Sequence, residues 1–308
     1  MKKRLLVFGI SGFVGPYLAK EFYKYGYEIY GTDINFSKFV PFFVEFVKGD
    51  LLDDKFVSEL INQIKPTHII NLAAISSVGH SWNIPQKTIE VNVIGAINIL
   101  EAAHQLDIHP KVMFIGSSEE YEISDSPINE ETKLNANNPY GISKITQEQF
   151  VKIYQEKYNF QIYYVRPFNH TGIGQNSNFV IPSFCKQVAD IEKSKQPGTI
   201  YIGNLEAKRD FTDVRDIVAA YRMIFESNDY SSVYNVGSGK SYSLKDILNY
   251  IISLSTQEIK IQIDENKYRP IDTPVICCDN CKISEELGWN PKYTIFETID
   301  EMFEYYMK

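Results

Sequence analysis

Between a short apolar run, Arg4–Phe8, and a helical stretch over residues 12 to 25 lies Gly9-Ile10-Ser11-Gly12-Phe13-Val14-Gly15, and no other feature restricts the fold so strongly. Its glycines stand at Gly-x-x-Gly-x-x-Gly, each with its own task. Gly9 permits a tight turn, Gly12 lets the backbone approach a pyrophosphate, and Gly15 lets a helix close against a strand. The helix start then offers unpaired N–H groups to phosphates, with Ser11, Phe13 and Val14 completing the loop. The implied ligand is a dinucleotide. Asp33 closes a second strand over residues 27 to 31 and is placed to accept from an adenosine ribose 2′-hydroxyl, where a 2′-phosphate would meet repulsion. The expected cofactor is NAD(H) or NADP(H), with NAD(H) slightly favoured.

The alternation continues beyond this unit. Strands are expected at 44 to 47, 68 to 72, 111 to 115 and 161 to 165, with helices at 53 to 64, 84 to 106 and 139 to 157 between them. This order predicts an α/β protein with a Rossmann-type doubly wound parallel sheet. After Arg166-Pro167 the pattern loosens into a turn-rich segment, 168 to 178. Helices follow at 180 to 194, 213 to 226, 243 to 254 and 294 to 306, and strands at 200 to 202, 233 to 236 and 259 to 263. The expected division is a dinucleotide-binding domain over 1–167 with returning elements near 211–238. A smaller mixed lobe over 168–210 and 239–308 would bind substrate.

Length and composition agree with such a fold. A chain of 308 residues with 44% hydrophobic content can bury one large core or two joined ones. The formal charge of −8 gives little general attraction for nucleic acid. No apolar run is long enough to span a bilayer, and the first strand follows Met1 too closely for a signal peptide, so a cytoplasmic location without membrane attachment is expected. Cys277, Cys278 and Cys281 cluster, but no second pair or nearby histidine completes a zinc set, so no metal is expected.

Residues with chemistry gather where strands of such a sheet end. Ala73 and Ala74, after Leu72, would let a ligand approach the carboxyl edge, and Asp50-Leu51 would either hold an adenine or form a solvated turn. Tyr140 and Lys144 are spaced to share one helix face, about 6 Å apart at Cβ. An ammonium there is expected to lower the phenol pKa and make it usable as an acid or base. Ser117, or else Ser118, ends the fifth strand and would bind the substrate oxygen that Tyr140 protonates.

Four further segments carry a family resemblance: Ala73-Ala74-Ile75-Ser76-Ser77-Val78-Gly79 with Ser81-Trp82; Gly116-Ser117-Ser118-Glu119-Glu120-Tyr121; Arg166-Pro167-Phe168-Asn169-His170-Thr171-Gly172 with Gly174-Gln175; and the run from Gly203 through Arg209 to Asp216. With them the whole chain resembles the extended short-chain dehydrogenase/reductases that act on nucleotide sugars. The likeness is greatest to the branch that reduces GDP-linked 4-keto-6-deoxy sugars.

That resemblance implies reduction of the C4 ketone of GDP-4-keto-6-deoxy-D-mannose to GDP-D-rhamnose, with Ser117, Tyr140 and Lys144 as catalytic triad. It implies substrate contacts from Ser76, Ser77, Ser118, Asn169, Val180, Lys186, Arg209 and Arg269. It also implies a homodimer through the Tyr140 helix and the long helix before it, where Val91, Val93, Ala96, Ile99, Ala102 and Ala103 suit close packing. Glu119 matches the acid that works on hexose C5 and C6 in GDP-mannose 4,6-dehydratases, so an internal dehydration or epimerisation stays as the alternative. Glu122 departs from the family, which usually has glycine there, and suggests a reshaped turn.

Overall fold

The computed structural model describes residues 2–124, 126–159, 161–227, 229, 233–264 and 274–308. Strands run β1 (Arg4–Phe8), β2 (Glu28–Asp33), β3 (Glu45–Lys48), β4 (His68–Asn71), β5 (Lys111–Ile115), β6 (Ile162–Pro167) and β7 (Asn169–Thr171). They continue as β8 (Gly198–Ile202), β9 (Lys208–Asp213), β10 (Val233–Val236), β11 (Ser241–Ser243), β12 (Ile259–Ile263) and β13 (Val275–Ile276). The larger helices are α1 (Gly15–Lys24), α2 (Asp54–Ile64), α3 (Val78–Asn83), α4 (Pro85–Ile89), α5 (Gly95–His104), α6 (Pro139–Tyr158) and α7 (Val180–Ser194). After them come α8 (Val214–Glu226), α9 (Leu244–Ser253), α10 (Cys281–Leu287) and α11 (Ile295–Met307).

Seven strands form one parallel sheet in the order β3-β2-β1-β4-β5-β6-β10. Its central strands read as continuous apolar runs because helices cover both faces. On one side α1 and α8 contribute Leu18, Phe22, Ile217 and Ile224. On the other, α2, α5 and α6 contribute Val57, Ile61, Ile99, Leu100 and Val151. Each such side chain stabilises by about 1.5–3 kcal/mol when fully withdrawn from water. Strand order reverses between β1 and β4, which opens a crevice at their carboxyl ends. The doubly wound α/β fold expected from the alternation is present.

A separate cluster lies beyond this sheet. Helices α7, α9 and α11 bury Phe184, Leu248, Ile299 and Met302 together with Ile200 and Ile202 of β8. Strands β7, β9, β11 and β13 form a small mixed sheet, and β8 pairs with β12. Only Phe168 separates β6 of the large sheet from β7 of the small one. That single residue carries the chain from one sheet's edge into the other.

The helix expected over 84 to 106 is not continuous. Pro85 opens α4, and residues Glu90–Ile94 form a π turn before α5. Asn92 explains the wider turn. Its backbone carbonyl accepts from Gln147 Nε2 at 2.9 Å, and its side chain bridges Ile75 and Ser143. A tertiary hydrogen bond thus diverts a carbonyl from the helix ladder. Strands β9, β11 and β13 and helix α10 carry no clear periodic signal in the sequence. Glu122 shows no left-handed backbone; its N–H donates to the Lys133 carbonyl at 3.0 Å beside a Tyr121–Leu134 bridge.

Candidate active site

The glycine loop has the close contacts that its spacing demanded. Gly9 has φ of 81°, and a Cβ there would fall 2.6 Å from the backbone nitrogen of Ala73. A Cβ on Gly15 would fall 2.1 Å from the Ile10 carbonyl oxygen. Bare Gly9 lets the turn lie against the chain that leaves β4, and bare Gly15 lets the start of α1 lie against the turn after β1. No side chain caps its start and no acid sits in its first turn, so the helix N-terminus keeps its attraction for an anion. The Ser11 hydroxyl is buried without a partner among the described residues. Asp33 Oδ2 accepts the Ser11 N–H at 3.1 Å and ties the loop to the end of β2. A glycine cradle, an uncapped helix start and an orphaned hydroxyl all fit a dinucleotide.

This loop forms one wall of a cleft of about 1040 Å³. Ser117, Tyr140 and Lys144 line its floor, reached from the end of β5 and the first turns of α6. Asn138 starts α6 by accepting the Gly141 N–H at 2.9 Å, with Pro139 in its first turn. Ser117 has two duties. Its Oγ accepts the Glu119 N–H at 3.1 Å in a capping box whose other half is the Glu120 side chain, and it lines the cleft together with Tyr140.

Lys144 is not aimed at the phenol oxygen. Its Nζ donates to the Ile115 carbonyl at 2.7 Å and stands 5.9 Å from the Tyr140 ring centroid. Burial lowers its pKa to about 8, against a weaker upward pull from Glu120. Burial raises the Tyr140 pKa above that of a free phenol; Ser117 opposes this, while Glu120 and Glu119 add to it. The depression of the phenol pKa expected from Lys144 does not set the net shift, which burial carries upward. The ammonium is engaged with a backbone carbonyl, and desolvation dominates.

Other predicted positions divide between the cleft and its surroundings. Gly9, Gly12, Phe13, Val14, Gly15, Leu72, Ala74, Ser76, Ser77, Glu119, Asn169, Val180 and Arg209 line it. Ser11, Asp33 and Ala73 are not among the residues that line it. Asp50 accepts the Leu52 N–H at 2.9 Å, and Leu51 packs against Gly95 in the core. Ser118 borders a separate minor pocket with Tyr121 and Ile128. Lys186 is not among the lining residues and pairs with Asp190 at 2.5 Å. Arg269 lies outside the described residues.

Residues that sequence reasoning did not single out complete the walls. His170 stacks on Phe13 with centroids 6.2 Å apart, and Tyr221 of α8 reaches the floor beside Tyr140. Phe179, Asn204 and Leu244 contribute from the small lobe. Tyr221 carries no local signal, since it occupies a core-facing position like any buried residue of an amphipathic helix.

Residues 6–302 match the family model described as GDP-mannose 4,6 dehydratase. The chain belongs to that family. Among its relatives is GDP-6-deoxy-D-mannose reductase of Pseudomonas aeruginosa, 27% identical across 97% of this chain and 95% of that protein. GDP-mannose 4,6 dehydratase of Drosophila melanogaster is 28% identical across 98% of this chain and 85% of the relative. Of solved structures, RMD from Pseudomonas aeruginosa complexed with NADPH superposes with a TM-score of 0.84 at 25% identity, covering 99% of each chain. UDP-glucose 4-epimerase of Thermus thermophilus in complex with NAD gives 0.87 at 25% identity over 98% of each. Both structures share this fold from end to end. Among the described residues no helix is long and apolar enough to cross a membrane, and no cluster of potential metal ligands occurs.

Proposed function

We propose that this protein is a nicotinamide-dependent enzyme of nucleotide sugars that reduces the C4 ketone of GDP-4-keto-6-deoxy-D-mannose, giving GDP-D-rhamnose. The observation that carries this is the meeting of Ser117, Tyr140 and Lys144 on one cleft floor beside the glycine loop. The reductase of Pseudomonas aeruginosa and the NADPH-bound structure support it from outside the chain.

When bound along Gly9, Gly12 and Gly15, a nicotinamide cofactor supplies or accepts hydride. The protein's own residues manage the proton. A phenol whose pKa burial has raised stays protonated near neutral pH, which suits Tyr140 to give its proton to an oxygen gaining negative charge. Ser117 holds that oxygen in place. Lys144 supplies positive charge beneath the site and accounts for part of the polarisation. Arg209 is buried at the cleft wall and suits the two charges of a diphosphate, with Asn169 close to the same edge.

On this reading residues 1–167 with 211–238 bind the dinucleotide, and 168–210 with 239–308 bind the sugar nucleotide. A homodimer is part of the same proposal, although Val93, Ala96, Ile99, Ala102 and Ala103 are already buried within one chain. The outward residues Ile89, Ile94, Ile142 and Ile153 are the ones left to pair.

Glu119 supports a second reading, dehydration of GDP-mannose. It lines the cleft, and Asn138 Nδ2 donates to its Oε2 at 2.9 Å. Incubation with GDP-4-keto-6-deoxymannose and NADH or NADPH separates the two, with the product identified by NMR. Net cofactor oxidation is expected. Failure with both cofactors, while another base or sugar is reduced, would sink the assignment.

A further inference from the structure

Three hydrogen bonds run in series from the end of β5 to the start of α6. Ser117 Oγ accepts the Glu119 N–H at 3.1 Å, Glu119 Oε2 accepts from Asn138 Nδ2 at 2.9 Å, and Asn138 Oδ1 accepts the Gly141 N–H at 2.9 Å. They connect Ser117 and Glu119 to the helical turn that carries Tyr140, and these three residues line the cleft. Asn138, which is buried, is the link between the two elements.

The backbone is fitted at the same junction. A Cβ on Gly141 would fall 2.2 Å from the Glu119 carbonyl oxygen and 2.7 Å from the Ala136 Cβ, so the first turn of α6 rests directly on Glu119. Gly141 brings the helix against the Glu119 backbone, and Asn138 holds the Glu119 carboxylate. The orientation of the Asn138 amide follows from its partners. The Gly141 N–H can only donate, so the amide oxygen faces it; the nitrogen then faces Glu119, and its second hydrogen reaches Asn137 Oδ1 at 3.1 Å. Capping a helix requires only the oxygen, and serine or aspartate supplies one equally well. The donor end is what asparagine adds.

We propose that Asn138 is a positioning residue: its amide ties the Glu119 carboxylate to the start of the Tyr140 helix and so sets the arrangement of Ser117, Glu119 and Tyr140 on the cleft floor. This rests on the role given to Ser117 and Tyr140 above. Holding the end of β5 and the start of α6 through one buried side chain gives a bound sugar a floor that is formed in advance, and such orientation contributes directly to rate.

The test compares Asn138→Asp and Asn138→Ser in the full chain, since both keep a capping oxygen and lose the amide donor. Glu119 is titrated without substrate by NMR of 13C-carboxyl-labelled glutamate, its signal assigned with Glu119→Gln. A carboxylate in place of the amide is expected to raise the Glu119 midpoint by about one pH unit, and loss of the donor alone in Asn138→Ser by about half of that. The titratable groups close to Glu119 are Tyr140 and Lys144 from α6 and Glu120, Tyr121 and Glu122 from its own turn, and all are common to the variants. A residue that only caps the helix would leave the midpoint unmoved, so identical midpoints in wild type and Asn138→Asp overturn the proposal. Should Asn138→Asp fail to fold, Asn138→Ser decides alone on the same criterion. With the ketosugar, kcat in Asn138→Ser is expected to fall by about 10-fold with KM little changed, and an unchanged kcat also overturns the positioning role. Failure of the ketosugar assignment itself is distinguishable, because it appears as absent turnover in the wild type and leaves the substrate-free titration intact.

Discussion

Lys144 donates its ammonium proton to the carbonyl of Ile115 at 2.7 Å, one strand end away from the tyrosine with which its spacing associates it. The lysine is thereby buried on a single neutral acceptor and a longer contact to Gln147. Desolvation of this kind costs stability so long as the group carries its charge.

The sign of that cost gives a first prediction. The Lys144 pKa falls from 10.5 when unperturbed to about 8 in the fold, so the unfolded chain binds the proton more tightly. Stability associated with Lys144 must therefore rise as pH increases from about 8 to 10.5, and the penalty is fully present below that window. Lys144→Met should raise the melting temperature at neutral pH, by at most about 3 kcal/mol of unfolding free energy, while abolishing turnover. The gain should shrink above pH 8 in thermal denaturation series.

Tyr140→Phe removes the proposed proton donor but little volume from a buried position. Turnover should drop by about 10²–10⁴-fold, with cofactor binding retained in a fluorescence titration. Unchanged turnover with intact binding would refute the assigned chemistry.

Gly15→Ala places a methyl group against the Ile10 carbonyl. The collision is with backbone, so no rotamer relieves it. A loss of about 1–3 kcal/mol in denaturant unfolding is expected, together with weakened cofactor binding.

Arg209→Lys retains charge but loses the planar fork. For a diphosphate ligand KM should rise by about 10-fold, the equivalent of one charge-assisted hydrogen bond, with kcat less affected. A change confined to kcat would place Arg209 outside the ligand contacts.

Glu119→Gln distinguishes reduction from dehydration. If the chain is a C4 reductase, the variant keeps ketone reduction, and wild-type product made in D₂O carries no deuterium at C5. Deuterium at C5 that vanishes in Glu119→Gln would instead support the dehydratase reading.

Much of this molecule was legible before its coordinates. Strands at 111 to 115, 233 to 236 and 259 to 263 and the helix at 180 to 194 occupy their expected bounds. Local apolar periodicity and turn residues suffice for such elements. The broken helix near Asn92 and the polar strand β9 were not legible, because a hydrogen bond from Gln147 makes the first and partners from three other strands make the second.

By itself the sequence determined the alternating order of strands and helices, the glycine cradle and the family, since each depends on neighbours within a few residues or on motifs read in place. Tertiary structure alone decided which hydroxyl faces the cleft, where the Lys144 ammonium goes, and that Glu120 and Arg166 meet under Ser117. Those outcomes depend on burial and on partners from distant strands, and desolvation there outweighs the pairwise attraction that sequence spacing suggests.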